Sequence, residues 1–208
     1  KFLAPNAPLI AETGGLNAMI VDSTALPEQV VRDVLASAFQ SAGQRCSALR
    51  MLYLQEDIAE ELLTMLYGAM DQLVIGNPWQ LKTDIGPVID QMAHAKIEHH
   101  CATFKTQGKL LKEIAVPEEA RQSGLFIAPT VLKVSGIEEL ADEIFGPVLH
   151  VATFKGKDIL KVVETINAQN YGLTFGVHSR VDSRVQQLVS HIKACLLYTS
   201  PSPRDQAK

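Results

Sequence analysis

Short apolar runs alternate with longer segments whose apolar residues recur at helical spacing, and this alternation constrains the fold more than any other feature. Ala18-Met19-Ile20-Val21 reads as a short buried strand closed by Asp22-Ser23. Pro27 opens a helix where its missing N–H costs little, and Val30, Val31, Val34, Leu35 and Ala38 follow on one face until Ser41-Ala42-Gly43. Met51–Leu54 is a second strand, and Ile58–Leu73 a second helix behind Glu56-Asp57. Asp90 is positioned to cap a helix over Gln91–Thr106 that Gly108 ends. Strands are expected over Lys109–Ile114, Phe126–Val134 (broken by Pro129), Leu149–Phe154 and Leu173–Val177, and helices over Asp158–Ile166 and Arg184–Ile192. This βαβα order predicts an α/β fold with a largely parallel sheet.

Composition narrows the class. The chain has 208 residues, 47% of them hydrophobic and 20% charged, which supports a packed core rather than a disordered segment. A formal net charge of −4 argues against nucleic-acid binding through a basic surface. No run approaches the ~18 apolar residues of a membrane span, and Lys1–Asn6 does not make a signal peptide. Three widely spaced cysteines, Cys46, Cys101 and Cys195, fit a reducing, cytoplasmic setting better than a disulfide framework. The chain begins without Met, so a piece of a longer chain is expected.

Three short motifs can carry chemistry, though each alone has an ordinary structural explanation. In Gly43-Gln44-Arg45-Cys46-Ser47 a thiol follows a flexible Gly, between a cation and a hydroxyl; a nearby positive charge favours thiolate. A buried Cys packed as a small hydrophobe fits equally. In Glu12-Thr13-Gly14-Gly15 a carboxylate precedes two glycines at a strand start, where backbone can approach a ligand and the carboxylate can act as a general base. A solvated Glu before a turn explains it too. In Glu143-Ile144-Phe145-Gly146-Pro147-Val148 an acid and an aromatic lead into a strand through a Gly-Pro turn; the acid could accept from a ribose diol and the ring could wall a flat group. His99-His100-Cys101, with His94 and Glu98, reads as a solvated helix face rather than a metal site, because adjacent helix positions diverge by about 100°. Arg180 and Arg184 read as surface charge.

Taken together and in this order, the three motifs resemble the aldehyde dehydrogenase superfamily, over essentially residues 1–194. The longer strings Ala11–Gly15, Asn17–Asp22, Ser41–Arg50 and Tyr171–Gly176 are similar to the bacterial bifunctional proline-utilisation family, in its L-glutamate γ-semialdehyde (Δ1-pyrroline-5-carboxylate) dehydrogenase part. The resemblance implies a catalytic domain with a three-layer α/β/α architecture. It implies Cys46 as nucleophile, Glu12 as general base, Glu143, Phe145, Thr13 and Gly14 around NAD, and Ser47 near the substrate carboxylate. It implies no metal, a small aldehyde substrate, a homo-oligomeric parent, and FAD only in a separate proline dehydrogenase domain outside this chain.

The departures are equally specific. The nucleotide-binding half that precedes the Glu12 motif in the family is absent, with the side-chain amide it lends to the oxyanion hole. After Lys193-Ala194 the family continues into a Gly-Asn segment and a Phe-Gly-Gly loop that holds the substrate carboxylate. Here Cys195–Lys208 resembles a translated sequencing adapter and is expected to be a disordered, non-native tail. Residues 1–194 are therefore expected to form one incomplete domain without turnover of its own. Open alternatives are an aldehyde dehydrogenase of another substrate class, a non-catalytic oligomerisation or interaction module, and a Cys-dependent hydrolase. The last lacks a His before His94 to serve as its base.

Overall fold

Nearly every apolar run becomes a strand of one sheet, because runs without polar alternation can be buried on both faces only between layers of helices. The computed structural model describes residues 15–122 and 124–199. Its elements are β1 (Ala18–Val21), α1 (Pro27–Phe39), β2 (Met51–Gln55), α2 (Glu56–Met70), α3 (Gln91–Thr106), β3 (Leu110–Glu113), α4 (Glu118–Gln122), β4 (Thr130–Lys133), β5 (Val148–Phe154), α5 (Ile159–Ala168), β6 (Thr174–His178), α6 (Asp182–His191) and β7 (Leu196–Thr199). Among the described residues the sheet order is β3-β4-β5-β2-β1-β6-β7. Every pairing is parallel except β3 with β4. The interior strand β1 sets Ala18 opposite both Met51 and Phe175.

Connectivity explains the layers. The step β1–α1–β2 runs one way along the sheet and β5–α5–β6 runs the other. Right-handed crossovers then put α1 and α5 on opposite faces. Helices α1 and α2 pack together, as do α5 and α6. Fully buried Ile20, Val34, Phe39, Leu52, Leu66, Val131, Leu149 and Val163 fill the space between layers.

The expected elements form with small shifts. Asp90 caps α3, its carboxylate accepting from Ala93 N at 2.8 Å, and Gly108 follows that helix with a φ of +70°. Three expectations are corrected and one element is added. Phe126–Val134 is a strand only over Thr130–Lys133, since Pro129 has no N–H to donate to a ladder. The short α4 was not foreseen. The His99-His100-Cys101 face is not wholly solvated: Cys101 is 5% exposed and His100 half-buried. The chain after Ala194 is not irregular throughout, because Leu196–Thr199 adds to the open edge of β6 in parallel. An unpaired edge offers a row of N–H and C=O groups to any segment of β propensity, and Leu-Leu-Tyr-Thr is such a segment.

Candidate active site

All three motifs precede strands, and in a parallel sheet the starts of the strands share one end. The motifs thus gather at the N-terminal end of the sheet, not at the C-terminal end where open α/β sheets usually bind ligands. Glu12, Thr13 and Gly14 lie outside the described residues; Gly15, which closes their motif, lies within them.

The Cys46 turn is built first. After α1 the backbone runs through three left-handed residues, Ser41 (φ 56°), Ala42 (φ 52°) and Gly43 (φ 66°). Such conformations cost about 1 kcal/mol or more for each non-glycine residue. At Gly43 a glycine is required twice over, since a Cβ would also collide with the Gly146 carbonyl. The turn is clamped by Gln44, whose backbone N–H donates to Ser41 O at 3.0 Å. Its side-chain amide accepts from Ile89 N at 2.8 Å and donates to Pro87 O at 3.2 Å. Ala48 N then donates to Arg45 O at 3.0 Å, closing a tight turn with Cys46 and Ser47 at its tip. Cys46 is a free, exposed thiol. Arg45 donates to the Ala36 and Ser37 carbonyls at 2.6 and 3.1 Å, so its charge neutralises the carbonyl end of α1.

Two residues that the sequence reading did not single out hold this turn to the other motifs. Buried Asn17, just before β1, donates from Nδ2 to Cys46 O at 2.7 Å and to Ala48 O at 2.8 Å, and accepts from Thr174 N at 3.1 Å. One amide thus staples the cysteine turn to β1 and β6. Arg50 is fully buried. Its guanidinium donates to Glu143 Oε1 from Nε and Nη2 at 3.0 and 2.9 Å, to Gly146 O at 3.1 Å and to Arg45 O at 3.2 Å. Burial lowers the Arg50 pKa, and Glu143 works against that shift. A buried pair of this kind says more about geometry than about net stability. The signal for both residues was present: a lone amide and a lone cation at the mouths of otherwise apolar strands.

The third motif meets the first through Glu143, whose Oε2 accepts from Gly15 N at 2.9 Å. An added Cβ on Gly15 would stand 3.1 Å from the Cys46 carbonyl. Phe145 is 41% exposed and lies 5.3 Å from the Arg50 guanidinium carbon. Ser47 lines a cleft of about 300 Å³ with Asn17, Arg45, Thr174 and Tyr198. Gly15, Cys46, Glu143 and their neighbours, scattered in sequence, are therefore one site. A larger cavity of about 750 Å³ lies between α3 and β3, lined by His94, Glu98 and Lys105, and contains no motif residue. Among the described residues no three His, Cys, Asp or Glu side chains gather as a metal site would require.

Comparison with known proteins identifies the family and the fold. The model of the aldehyde dehydrogenase family matches residues 4–205. The chain is 53% identical over 197 residues to the bifunctional protein PutA of Escherichia coli (strain K12), covering 93% of this chain and 15% of that protein. It is 38% identical over 173 residues to 1-pyrroline-5-carboxylate dehydrogenase of Anoxybacillus flavithermus, covering 82% of this chain and 33% of that one. A crystal structure of a proline utilization A variant from Bradyrhizobium japonicum superposes with a TM-score of 0.88 at 44% identity, over 94% of this chain and 20% of that one. The chain thus spans about one seventh of the length of its PutA relatives.

Proposed function

The chain belongs to the aldehyde dehydrogenase family, and from that premise we propose that it is part of an NAD-dependent L-glutamate γ-semialdehyde dehydrogenase, acting in the oxidation of proline to glutamate. The observation that carries this reading is the convergence of Gly15, Cys46 and Glu143 at one end of the sheet. The substrate assignment is supported by relatives named PutA and 1-pyrroline-5-carboxylate dehydrogenase.

The residues present suit the ribose end of a nicotinamide cofactor. A carboxylate has about four lone-pair sites. Gly15 and Arg50 together take three of those on Glu143, leaving one on Oε2 for a hydroxyl donor. Phe145 next to it exposes ring surface. When bound, the nicotinamide supplies a hydride acceptor.

The chain's own residues do the rest. The Cys46 thiolate attacks the aldehyde carbon and forms a C–S bond, and the carbonyl oxygen takes the negative charge. The Cys46 backbone N–H is oriented for that oxyanion by the turn that Asn17 holds. Oxidation leaves the carbon as a Cys46 thioester. Glu12 then takes a proton from water, the hydroxide adds to the thioester, and the thiolate leaves as the carboxylic acid departs. Ser47 faces the substrate's α-carboxylate. On this reading the working enzyme is cytoplasmic and homo-oligomeric, residues 1–194 belong to its catalytic domain, and the isolated chain does not turn over. Among the described residues no helix is long and apolar enough to cross a membrane.

The test uses the complete gene product that carries this sequence. NADH formation is followed with L-glutamate γ-semialdehyde and with a simple aliphatic aldehyde. Preference for the semialdehyde is the expected result. Equal turnover of both overturns the substrate, and no NADH with any aldehyde from a folded protein overturns the activity.

A further inference from the structure

Behind the Arg50–Glu143 pair lies a second, connected set of polar groups that the chemistry above does not use. His150 on β5 is 1% exposed. Its backbone N–H and its Nδ1 both lie 3.0 Å from the Arg50 carbonyl oxygen. Its Nε2 lies 2.8 Å from Nε2 of His100 on α3. Phe104, one turn further along α3, packs against both rings, with centroids 4.6 Å from His100 and 5.9 Å from His150.

The proton positions follow from this geometry. A carbonyl oxygen has only lone pairs, so His150 Nδ1 must carry the hydrogen. In a neutral ring the other nitrogen is then an acceptor. His100 Nε2 must therefore be the donor. If both Nε2 atoms carried hydrogens, the two rings would point N–H at N–H across 2.8 Å. Burial is the largest cause at both rings and, on His150, outweighs the upward pull of the Arg50 carbonyl and Glu139: His150 is held down to about 3 and His100 to about 4, so both are neutral at physiological pH. The ionisable groups facing the pair are Lys96 and His99 on α3, Arg50 before β2, and Glu139 in the turn before β5.

The consequence falls on Arg50. Its backbone N–H donates to Asn17 O at 3.0 Å, and its carbonyl accepts twice from His150. Both backbone polar groups of Arg50 are thus tied down, which aims the guanidinium at Glu143. The same helix carries Lys96, whose Nζ lies 3.4 Å from the Glu143 carbonyl oxygen. Helix α3 therefore touches the Glu143 segment directly through Lys96, and indirectly through His100.

We propose that His100 is a positioning residue for the cofactor-facing carboxylate: its Nε2–H orients His150, His150 fixes the Arg50 carbonyl, and Arg50 holds Glu143 in place for the nicotinamide ribose. The proposal rests on reading Glu143 as the ribose-binding group. A positioning role predicts a loss in cofactor binding that depends on one donated hydrogen bond, not on the bulk of the side chain.

The experiment measures the NAD⁺ dissociation constant calorimetrically, beside kcat and the aldehyde KM, in the complete gene product. His100→Met removes the donor and keeps the volume; His100→Gln restores an N–H donor. Loss of one neutral hydrogen bond corresponds to about three- to tenfold weaker NAD⁺ binding. His100→Met is expected to show that loss with kcat within twofold, and His100→Gln to bind as tightly as the parent. Unchanged binding in His100→Met overturns the proposal. So does equal weakening in both variants, which would mean that only packing matters. If His100→Met does not fold, His100→Ala is titrated with and without imidazole; recovered affinity supports the proposal and no recovery overturns it. Glu143→Gln separates the two readings. If it leaves NAD⁺ binding unchanged, the reading of Glu143 fails; if it weakens binding while His100→Met does not, only the positioning role fails.

Discussion

The two ends of the sheet each hold a carboxylate paired with an arginine, and they are built on opposite plans. At the C-terminal end, after β1, Asp22 is 1% exposed. It accepts from Thr24 N at 2.7 Å, Thr24 Oγ1 at 2.6 Å, Ser179 Oγ at 2.5 Å and Arg184 Nη1 at 2.7 Å. Burial alone would raise its pKa, but these donors outweigh burial and lower it. Every oxygen is satisfied, by Thr24 two residues on and by Ser179 and Arg184 from the far end of the chain. At the N-terminal end Glu143 is served, among the described residues, by Gly15 and Arg50 alone, keeps an open lone pair, and sits among exposed Cys46 and Phe145. The left-handed residues Ser41, Ala42 and Gly43 are also at this end. Asp22 closes a loop; Glu143 leaves a surface available to something else. Backbone strain marks the end that gathers the motifs more clearly than the presence of charge does, since both ends hold a carboxylate paired with an arginine.

The sharpest way to separate the ends is to remove the thiol. Cys46→Ala in the complete gene product is expected to lower aldehyde oxidation by at least about 10⁴-fold, with NAD⁺ affinity unchanged and unfolding free energy within about 0.5 kcal/mol. Surviving activity would strip the N-terminal end of its assigned role. Gly43→Ala attacks the frame of the same end. A side chain there meets the Gly146 carbonyl in a left-handed conformation, and a loss of about 2–4 kcal/mol in urea unfolding is expected, with activity falling too. Asp22→Asn is the counterpart at the other end. It should cost about 2 kcal/mol, because a saturated charged acceptor is lost, while kcat per folded molecule stays the same. A large change in kcat would show that the two ends are coupled.

Acid distinguishes the ends next. His150 and His100 are held at about 3 and about 4, below the ordinary 6.5, so the unfolded chain binds more protons than the folded one as pH falls. Their contribution is complete above pH 6.5 and is lost as pH drops toward 4 and then 3. Asp22, lowered from 3.8, contributes above that value and loses its part only further down. Urea midpoints measured from pH 7 to pH 4 should therefore fall in the parent and fall less in His150→Gln. An identical slope in both would remove the histidine pair as the cause. Arg184→Gln is expected to have the smallest effect, about 1 kcal/mol or less. Its side chain is 36% exposed and solvent already screens it.

How much of this was legible depends on the range of the interaction. Strand and helix order followed from local pattern, so β1, α1, β2 and α3 fall where the apolar periods and the Asp90 cap put them. Pairing was less legible. Nothing in Leu-Leu-Tyr-Thr tells that it will dock on β6, since an edge recruits by backbone and not by sequence. The site was legible as three motifs because Gly, Cys and Glu stand at positions where ordinary packing does not need them. Asn17, Arg50 and His150 escaped because their partners lie 29, 93 and 100 residues away. A polar residue beside an apolar strand is only half a signal without its mate. Arg184 was misread as surface charge for the same reason, its partner Asp22 being 162 residues distant.

The position of β1 has a consequence for synthesis. It pairs with β2 soon after emerging, but its other neighbour is β6, from Thr174 to His178. At the usual pace of translation the intervening residues take on the order of ten seconds to appear. For that time the nascent chain carries a half-paired apolar strand that will become an interior strand of its sheet. Slowing or pausing the ribosome between β2 and β6 should prolong exactly that exposure, so the density of chaperones at the exit tunnel, more than the final stability, would govern the yield of folded protein.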